Sequence, residues 1–547
     1  MRSLPTLALL AGGLMLTCLP ARAQTVVAEI AEIPGPGLYR QDFSLTRDVD
    51  VAIDAIGSGS VEKQALIAYA WILDLRTRQP AWRMEAERAR AADKPFNLRE
   101  SRTLRLSAGA YALYFAAYGG SFPVQKAIKI LKMFNLGSVA ISGGNRVRWD
   151  EYGDPAEWRA SVRLADPSAG VEGVGRTLSE PDLGALIRID RVGDNAYRRI
   201  GLDLSAAVRF RILALGEYAS RDQGFADGGW IQERDGCGRV WEMTLVNTLP
   251  AGGAEKNRVF DSEITVPPGR YLVCYATDDS HAYGAWNSNP PYDPDSWGIT
   301  LIPSSPLAPG VAHVTPNPSD ENVIVRIDRV GDGDFRTADF RLRHAADLCI
   351  RALGEWDASN DRYLDYGWIE DANRLEKVWS MESDRGIYAA GESRNRLVED
   401  RVHLEPGTYR VCYVTDEEHS AAGWHDHPPF DPEAWGIMVR GARGFSADWA
   451  SPVDEAQEDR TIIRLAPMRD DQERTVRFEV PERLTVKLIA LGEGEDGEMV
   501  DYGWLDRDPG GEPVWVMRYA DTQHAGGDEK NRRQERLLTL GESRHGR

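Results

Sequence analysis

Short runs of alternating apolar and polar residues, closed by glycine- or proline-containing turns, fill most of this chain. Arg209-Phe210-Arg211-Ile212-Leu213-Ala214 starts on that alternation, and Thr475-Val476-Arg477-Phe478-Glu479-Val480 keeps it throughout. Tyr409-Arg410-Val411-Cys412-Tyr413-Val414 is aromatic and β-branched. A period of two sends successive side chains to opposite faces, so each run predicts a β-strand with one face turned to a core. Short strands with turns about every ten residues predict an all-β fold of β-sandwich, jelly-roll-like type. One stretch departs from the pattern: Val124 to Phe134, apolar with three lysines, has a helical look.

The runs are organised as a repeat. Ala214-Leu215-Gly216-Glu217 returns as Ala352-Leu353-Gly354-Glu355 and Ala490-Leu491-Gly492-Glu493. Each phrase leads to Gly229-Trp230-Ile231, Gly367-Trp368-Ile369 or Gly503-Trp504-Leu505, spaced 138 residues from Trp230 to Trp368 and 136 from Trp368 to Trp504. A second tryptophan follows (Trp241, Trp379, Trp515), then Met243, Met381 or Met517. Asn257-Arg258, Asn395-Arg396 and Asn531-Arg532 mark a shared polar turn. Pro268-Gly269-Arg270-Tyr271 and Pro406-Gly407-Thr408-Tyr409 mark another. A closing loop runs from Asp278 and His281 through Trp286 and Tyr292 to Trp297, matched by Asp416, His419, Trp424, Phe430 and Trp435. A divergent front copy keeps Trp71, Trp82, Met84 and Trp158 and carries an insertion, 122–148.

The predicted order is a signal segment 1–23, then sandwich copies at 24–165, 183–303, 320–440 and 460–547, separated by Gly/Ser/Pro-rich or polar spacers. The fourth copy has no counterpart of residues 405–439 and is read as incomplete. Truncation of the sequence is the favoured explanation, because a raw sheet edge invites aggregation.

Four diverged copies within one chain separate scaffold from the rest. The front copy retains both tryptophans and the methionine, but has Ser58 where Glu217, Glu355 and Glu493 stand. It has Ala68 where Asp227, Asp365 and Asp501 stand. The apolar set survives alone and the two acids vanish together. Trp and Met are therefore expected in the core, and the acids in a separable polar unit. The arginine position of the front copy falls on Leu98 or Arg99, depending on which end is counted from.

Charge and export narrow the function classes. The 85 acidic and 65 basic residues give a net charge of −20, which disfavours nucleic acid and anionic lipid as partners. Arg2, the apolar run Leu4 to Leu19 and Ala21-Arg22-Ala23 have the layout of a removable secretory signal. Cys18 would suit a lipoprotein, but Thr17 before it does not. No other stretch reaches the ~18 apolar residues of a membrane span. A periplasmic or secreted location follows, and with it an oxidising compartment. Cys237–Cys274 and Cys349–Cys412 would each tie strands within one copy; the alternative is buried free thiols.

Each constellation has a chemical reading and a structural one. Carboxylates of the Glu/Asp pairs, with loop carbonyls, would suit Ca²⁺. The structural alternative is a network satisfied by Arg258, Arg396 and Arg532, and it is favoured because buried carboxylates need partners and no calcium-loop spacing occurs. His419, His425 and His427 with Asp416 and Asp426 suggest zinc. Copy 2 keeps only His281, with Asn287 and Asn289 at the other places, so loop hydrogen bonding is favoured. Trp286, Tyr292, Trp424 and Phe430 beside Asp278, His281, Asp416 and His419 could stack sugar rings. No Gly-x-Ser-x-Gly or His-Glu-x-x-His motif is present.

Pro267-Pro268-Gly269-Arg270-Tyr271-Leu272-Val273 and Glu405-Pro406-Gly407-Thr408-Tyr409-Arg410-Val411 resemble the closing strand of bacterial pre-peptidase C-terminal modules, small secreted β-sandwiches appended to exported enzymes. Phe340-Arg341-Leu342 extends the likeness to a preceding strand. The Gly-Trp, Trp-x-Met and Pro-Pro-x-Asp-Pro elements fall outside it. The resemblance implies an accessory extracellular role and assigns no functional residue.

The sequence thus predicts a non-catalytic, multi-copy binding protein of the envelope or exterior, with a protein or glycan ligand and no cofactor. The alternatives are a carbohydrate- or calcium-binding array and a glycoside hydrolase using the Glu/Asp pair.

Overall fold

The structure is a computed structural model that describes residues 25–60, 65–118, 149–150, 153–166, 181–221, 223–372, 374, 376–453, 461–507, 512–525 and 530–541. The signal segment 1–23 and the helical-looking stretch Val124 to Phe134 lie outside the described residues. The chain divides into two compact units, 1–182 and 183–547.

Copy 2 shows the module in full, as two antiparallel sheets. One orders Ile187–Ile189, Gly298–Pro303, Val208–Ser220, Asn257–Val266 and Leu249–Pro250. The other orders Ala312–Thr315, Tyr197–Leu204, Gly269–Ala276, Gly224–Glu233 and Arg239–Glu242. Copy 3 repeats this strand for strand, from Val323–Ile327 to Ala450–Val453. Copy 1, in the first unit, builds the same pairing around Val49–Ser60, Ala65–Asp74, Asn97–Leu106 and Gly109–Ala117. The chain is therefore an all-β protein of tandem sandwich repeats.

Local sequence explains the joints. Val208, Phe210 and Ile212 are buried, while Arg209 is exposed and Arg211 pairs with Asp261 at 2.7 Å, as strand alternation requires. The end of Val208–Ser220 leaves its own sheet to pair with Gly224–Glu233, so one hairpin joins the layers. At that crossing the repeated glycine is obligatory. A Cβ on Gly216, Gly354 or Gly57 would lie 2.2, 2.2 or 2.0 Å from the carbonyl oxygen of Asp227, Asp365 or Ala68. The Pro-Gly-x-Tyr turn is held by its tyrosine, since Tyr271 and Tyr409 donate to the carbonyls of Pro267 and Glu405 at 3.0 and 2.8 Å.

Several sequence expectations need correction. Trp82, Trp241, Trp379 and Trp515 are buried with their methionines, and the Trp241 ring meets Phe260 of the opposite sheet at 4.9 Å. Trp230 is buried for another reason. It pairs with Cys274, while its neighbour Ile231 pairs with Val273 and Trp241, so the indole lies on the outer face of its sheet. Phe430 of copy 3 covers it there. Neither within-copy disulfide forms. Cys237 of copy 2 is bonded to Cys349 of copy 3, and Cys274 and Cys412 are buried free thiols. The residues read as spacers also contribute strands: Ala312–Thr315 and Ala450–Val453 extend the second sheets of copies 2 and 3. Thr475–Val480 is not a strand. Its counterparts in copies 2 and 3 pair with Gly269–Ala276 and Gly407–Val414. Trp504, which pairs as the outward-facing Trp230 does, is 47% exposed, although a core position was expected.

Copies 2, 3 and 4 meet by one rule: the second sheet of a copy packs on the first sheet of the next. Phe430 lies 4.9 Å from Tyr197 and 5.8 Å from Trp230. Glu399 of copy 3 accepts from Arg239 and Gln232 of copy 2, both at 3.0 Å. At the next junction Lys487, which stands where Cys349 stands in copy 3, bridges Glu370 at 3.3 Å and Glu535 at 2.9 Å. Arg533 of copy 4 lies over the Trp368 ring, 5.1 Å from its centre.

Candidate functional site

The recurring acids meet where the hairpin crosses between sheets. Glu217 is directly opposite Asp227, and Glu355 opposite Asp365. Asp227 accepts from the backbone N–H of Asp278 at 2.9 Å and from the Trp297 indole N–H at 2.8 Å. Asp365 accepts from Asp416 N–H at 2.7 Å and from the Trp435 indole at 2.9 Å. One buried carboxyl thus fastens both ends of the Asp/His loop.

The arginines assigned to this network are elsewhere. Arg258 donates to Thr248 Oγ1 and its carbonyl at 3.3 and 2.6 Å, and Arg532 does the same to Thr522 at 2.9 and 3.1 Å. Arg396 is opposite Gly354, not Glu355. The residue facing Glu217 or Glu355 across the strands is Asn257 or Asn395, and the cation comes from one position earlier. Lys256 lies 2.9 Å from Glu217, Arg394 2.6 Å from Glu355, and Lys530 3.2 Å from Glu493. The other oxygen of Glu217 and of Glu355, Oε2 in each, is buried without a hydrogen-bond partner.

The flanking copies depart in informative ways. In copy 1 Ser58 is opposite Ala68, and the Trp158 indole donates to Asn97 Oδ1 at 3.0 Å instead. Leu98, not Arg99, is opposite Gly57 and so holds the arginine position. In copy 4 Glu493 and Asp501 exchange backbone hydrogen bonds at 3.1 and 3.0 Å, but Asp501 is exposed.

Burial sets the electrostatics. Desolvation, offset only in part by the single cation Lys256 or Arg394, pushes Glu217 and Glu355 up to about 7. Desolvation likewise lifts Asp278 to about 6 and holds Asp227 and Asp365 well above the usual carboxylate range. His419 is pushed down to about 4 by burial and by Arg394.

The loop residues serve the loop. His281 and His419 are buried with left-handed φ of 60° and 58°, and each shares a short hydrogen bond with Asn257 or Asn395, at 2.6 and 2.5 Å. Trp286 meets His281 and Trp297 edge-on at 5.1 and 5.0 Å, and Trp424 meets His419 and Trp435 at 5.2 and 5.1 Å. Tyr292 lies over Gly252, and Phe430 is in the junction between copies. Each of these rings contacts protein, and Tyr292, Trp424 and Phe430 remain half-buried. The zinc reading fails on placement, since His427 turns to Asp279 of copy 2 at 3.1 Å and His425 toward Glu418 at 3.8 Å. Among the described residues, the one His/Cys/Asp/Glu group whose ligand atoms converge is Glu355, Asp365 and Asp416, all within 4.8 Å.

Sequence reasoning missed the Lys256/Arg394 cation, Asn257/Asn395 and the acceptor role toward Trp297/Trp435. The signal was there: asparagine occupies its place in all four copies, as Asn97, Asn257, Asn395 and Asn531, and a cation precedes it in three. No protein-family model matches the chain, and no curated protein does.

Proposed function

We propose that this is an exported, non-catalytic interaction protein whose stacked modules bind a protein partner. The observation that carries this reading is the junction of copies 2 and 3. There an aromatic patch on one sheet receives a ring from the next module inside a frame of ion pairs, which is protein–protein recognition chemistry. The disulfide supports an oxidising compartment. The hydrolase alternative loses support because Glu355 and Asp365 are 1% and 0% exposed, whereas glycosidase carboxyls must flank a sugar in a cleft. The glycan alternative is weakened by the protein contacts that its rings make.

Copy 2 offers a contact surface of its own. Leu245, Val246 and Leu249 are 45%, 96% and 71% exposed, close together in sequence. A photo-crosslinking residue at position 246, used in soluble envelope extract, is expected to capture one protein species, and Leu249→Asp to abolish that capture. Retention on a bacterial glycan array, or release of reducing ends from polysaccharide by the purified chain, would contradict the reading.

A further inference from the structure

Copy 3 differs from copy 2 in one respect that bears on chemistry. In copy 2 the Lys256 ammonium lies between Glu217 Oε1 and Asn287 Oδ1, 2.9 Å from each. In copy 3 three carboxylates converge and one guanidinium, that of Arg394, reaches one oxygen of one of them. A buried site with three acids and a single cation is unbalanced.

We propose that Glu355, Asp365 and Asp416 form a binding site for a divalent cation of calcium type. The spacing fits such an ion. Oxygens bound to one calcium at about 2.3–2.6 Å can be no more than about 5 Å apart, and these ligand atoms lie within 4.8 Å of one another. Glu355 supplies the independent sign. It is 1% exposed, and its Oε2, the oxygen that Arg394 does not reach, is buried with no hydrogen-bond partner. An oxygen in that position needs a donor or a cation. The Asp365 oxygens each accept a single hydrogen bond, from Asp416 N–H and the Trp435 indole, and each retains a lone pair. Asp416 is half-buried at the rim, where an ion would enter; its Oδ1 accepts from Glu418 N–H at 2.9 Å. The donor set is oxygen alone, the hard ligands that a calcium-type cation takes. The site does not depend on the interaction role proposed above.

Equilibrium dialysis of the full chain against ⁴⁵Ca²⁺ at pH 8 tests this. About one ion per chain is expected, in the 10⁻⁴–10⁻³ M range typical of extracellular modules. Binding should be lost in Glu355→Gln and in Asp416→Asn, and retained in Glu217→Gln. Asp416→Asn, at the rim, keeps the test valid should Glu355→Gln misfold. Calcium should also raise the melting temperature of the wild type and leave that of Asp416→Asn unchanged. No bound calcium, or binding indifferent to Asp416→Asn, would overturn the site.

Discussion

At Glu217 the fold buries a carboxyl beside Lys256, with Asp227, Asp278 and Asp279 nearby and Tyr388 of the next copy also facing the cluster. Burial raises the group from its ordinary 4.5 to about 7. Between those values the native state holds a proton that the unfolded chain has released, so stability falls as pH rises through this window. Above about 7 the full penalty applies; below 4.5 it is absent. Glu217→Gln carries no such charge, so it should melt above the wild type at pH 8, with the difference shrinking toward pH 5. A difference that does not vary with pH, followed by differential scanning fluorimetry, would contradict the assignment. The pairing of this acid with Asp227 was legible because Ser58 and Ala68 replace both in one copy, and those two positions are cross-strand neighbours. The cation was misread because successive strand residues point to opposite faces. Arg258 belongs to the Gly216 side of the pairing, and only Lys256, at the strand entry, reaches the acid.

Among the strands, alternation identified which residues share a face but not what lies beyond that face. Hydrophobicity marks burial, and here both faces of a second sheet are buried, one by the sandwich and the other by the next copy. Trp230 and Trp241 therefore read alike in sequence although they point in opposite directions. The cover over Trp230 is testable. Phe430→Ala removes the ring that closes the patch with Tyr197 and Trp230. It should cost about 3 kcal/mol, as large-to-small substitutions at packed aromatic sites do, and should red-shift the tryptophan emission as Trp230 gains water. An unchanged spectrum and denaturation midpoint would place Phe430 outside the junction. Thr475–Val480 shows the opposite limit of pattern reading. Its alternation is sound, but a strand needs a hydrogen-bonded partner, which alternation alone does not supply.

At the level of the molecule, the repeat period made the tandem all-β modules legible, while the junctions between them were not. The pairing that matters joins thiols 112 residues apart in two different copies, and spacing within a copy gives no hint of it. Cross-linking a loop near that length removes about 4–5 kcal/mol of unfolded-chain entropy, so it ties copies 2 and 3 together across their junction. Glu399, held by Arg239 and Gln232, and Arg440, which donates to the carbonyls of Arg234 and Gly236, then fix how the two surfaces meet. Peptide mapping of the mature protein, digested without reduction after thiol alkylation, tests this head-to-tail stacking most directly. The predicted result is one linked peptide pair containing Cys237 and Cys349, with Cys274 and Cys412 recovered as free thiols once the chain is unfolded. Recovery of Cys237–Cys274 or Cys349–Cys412 would contradict it.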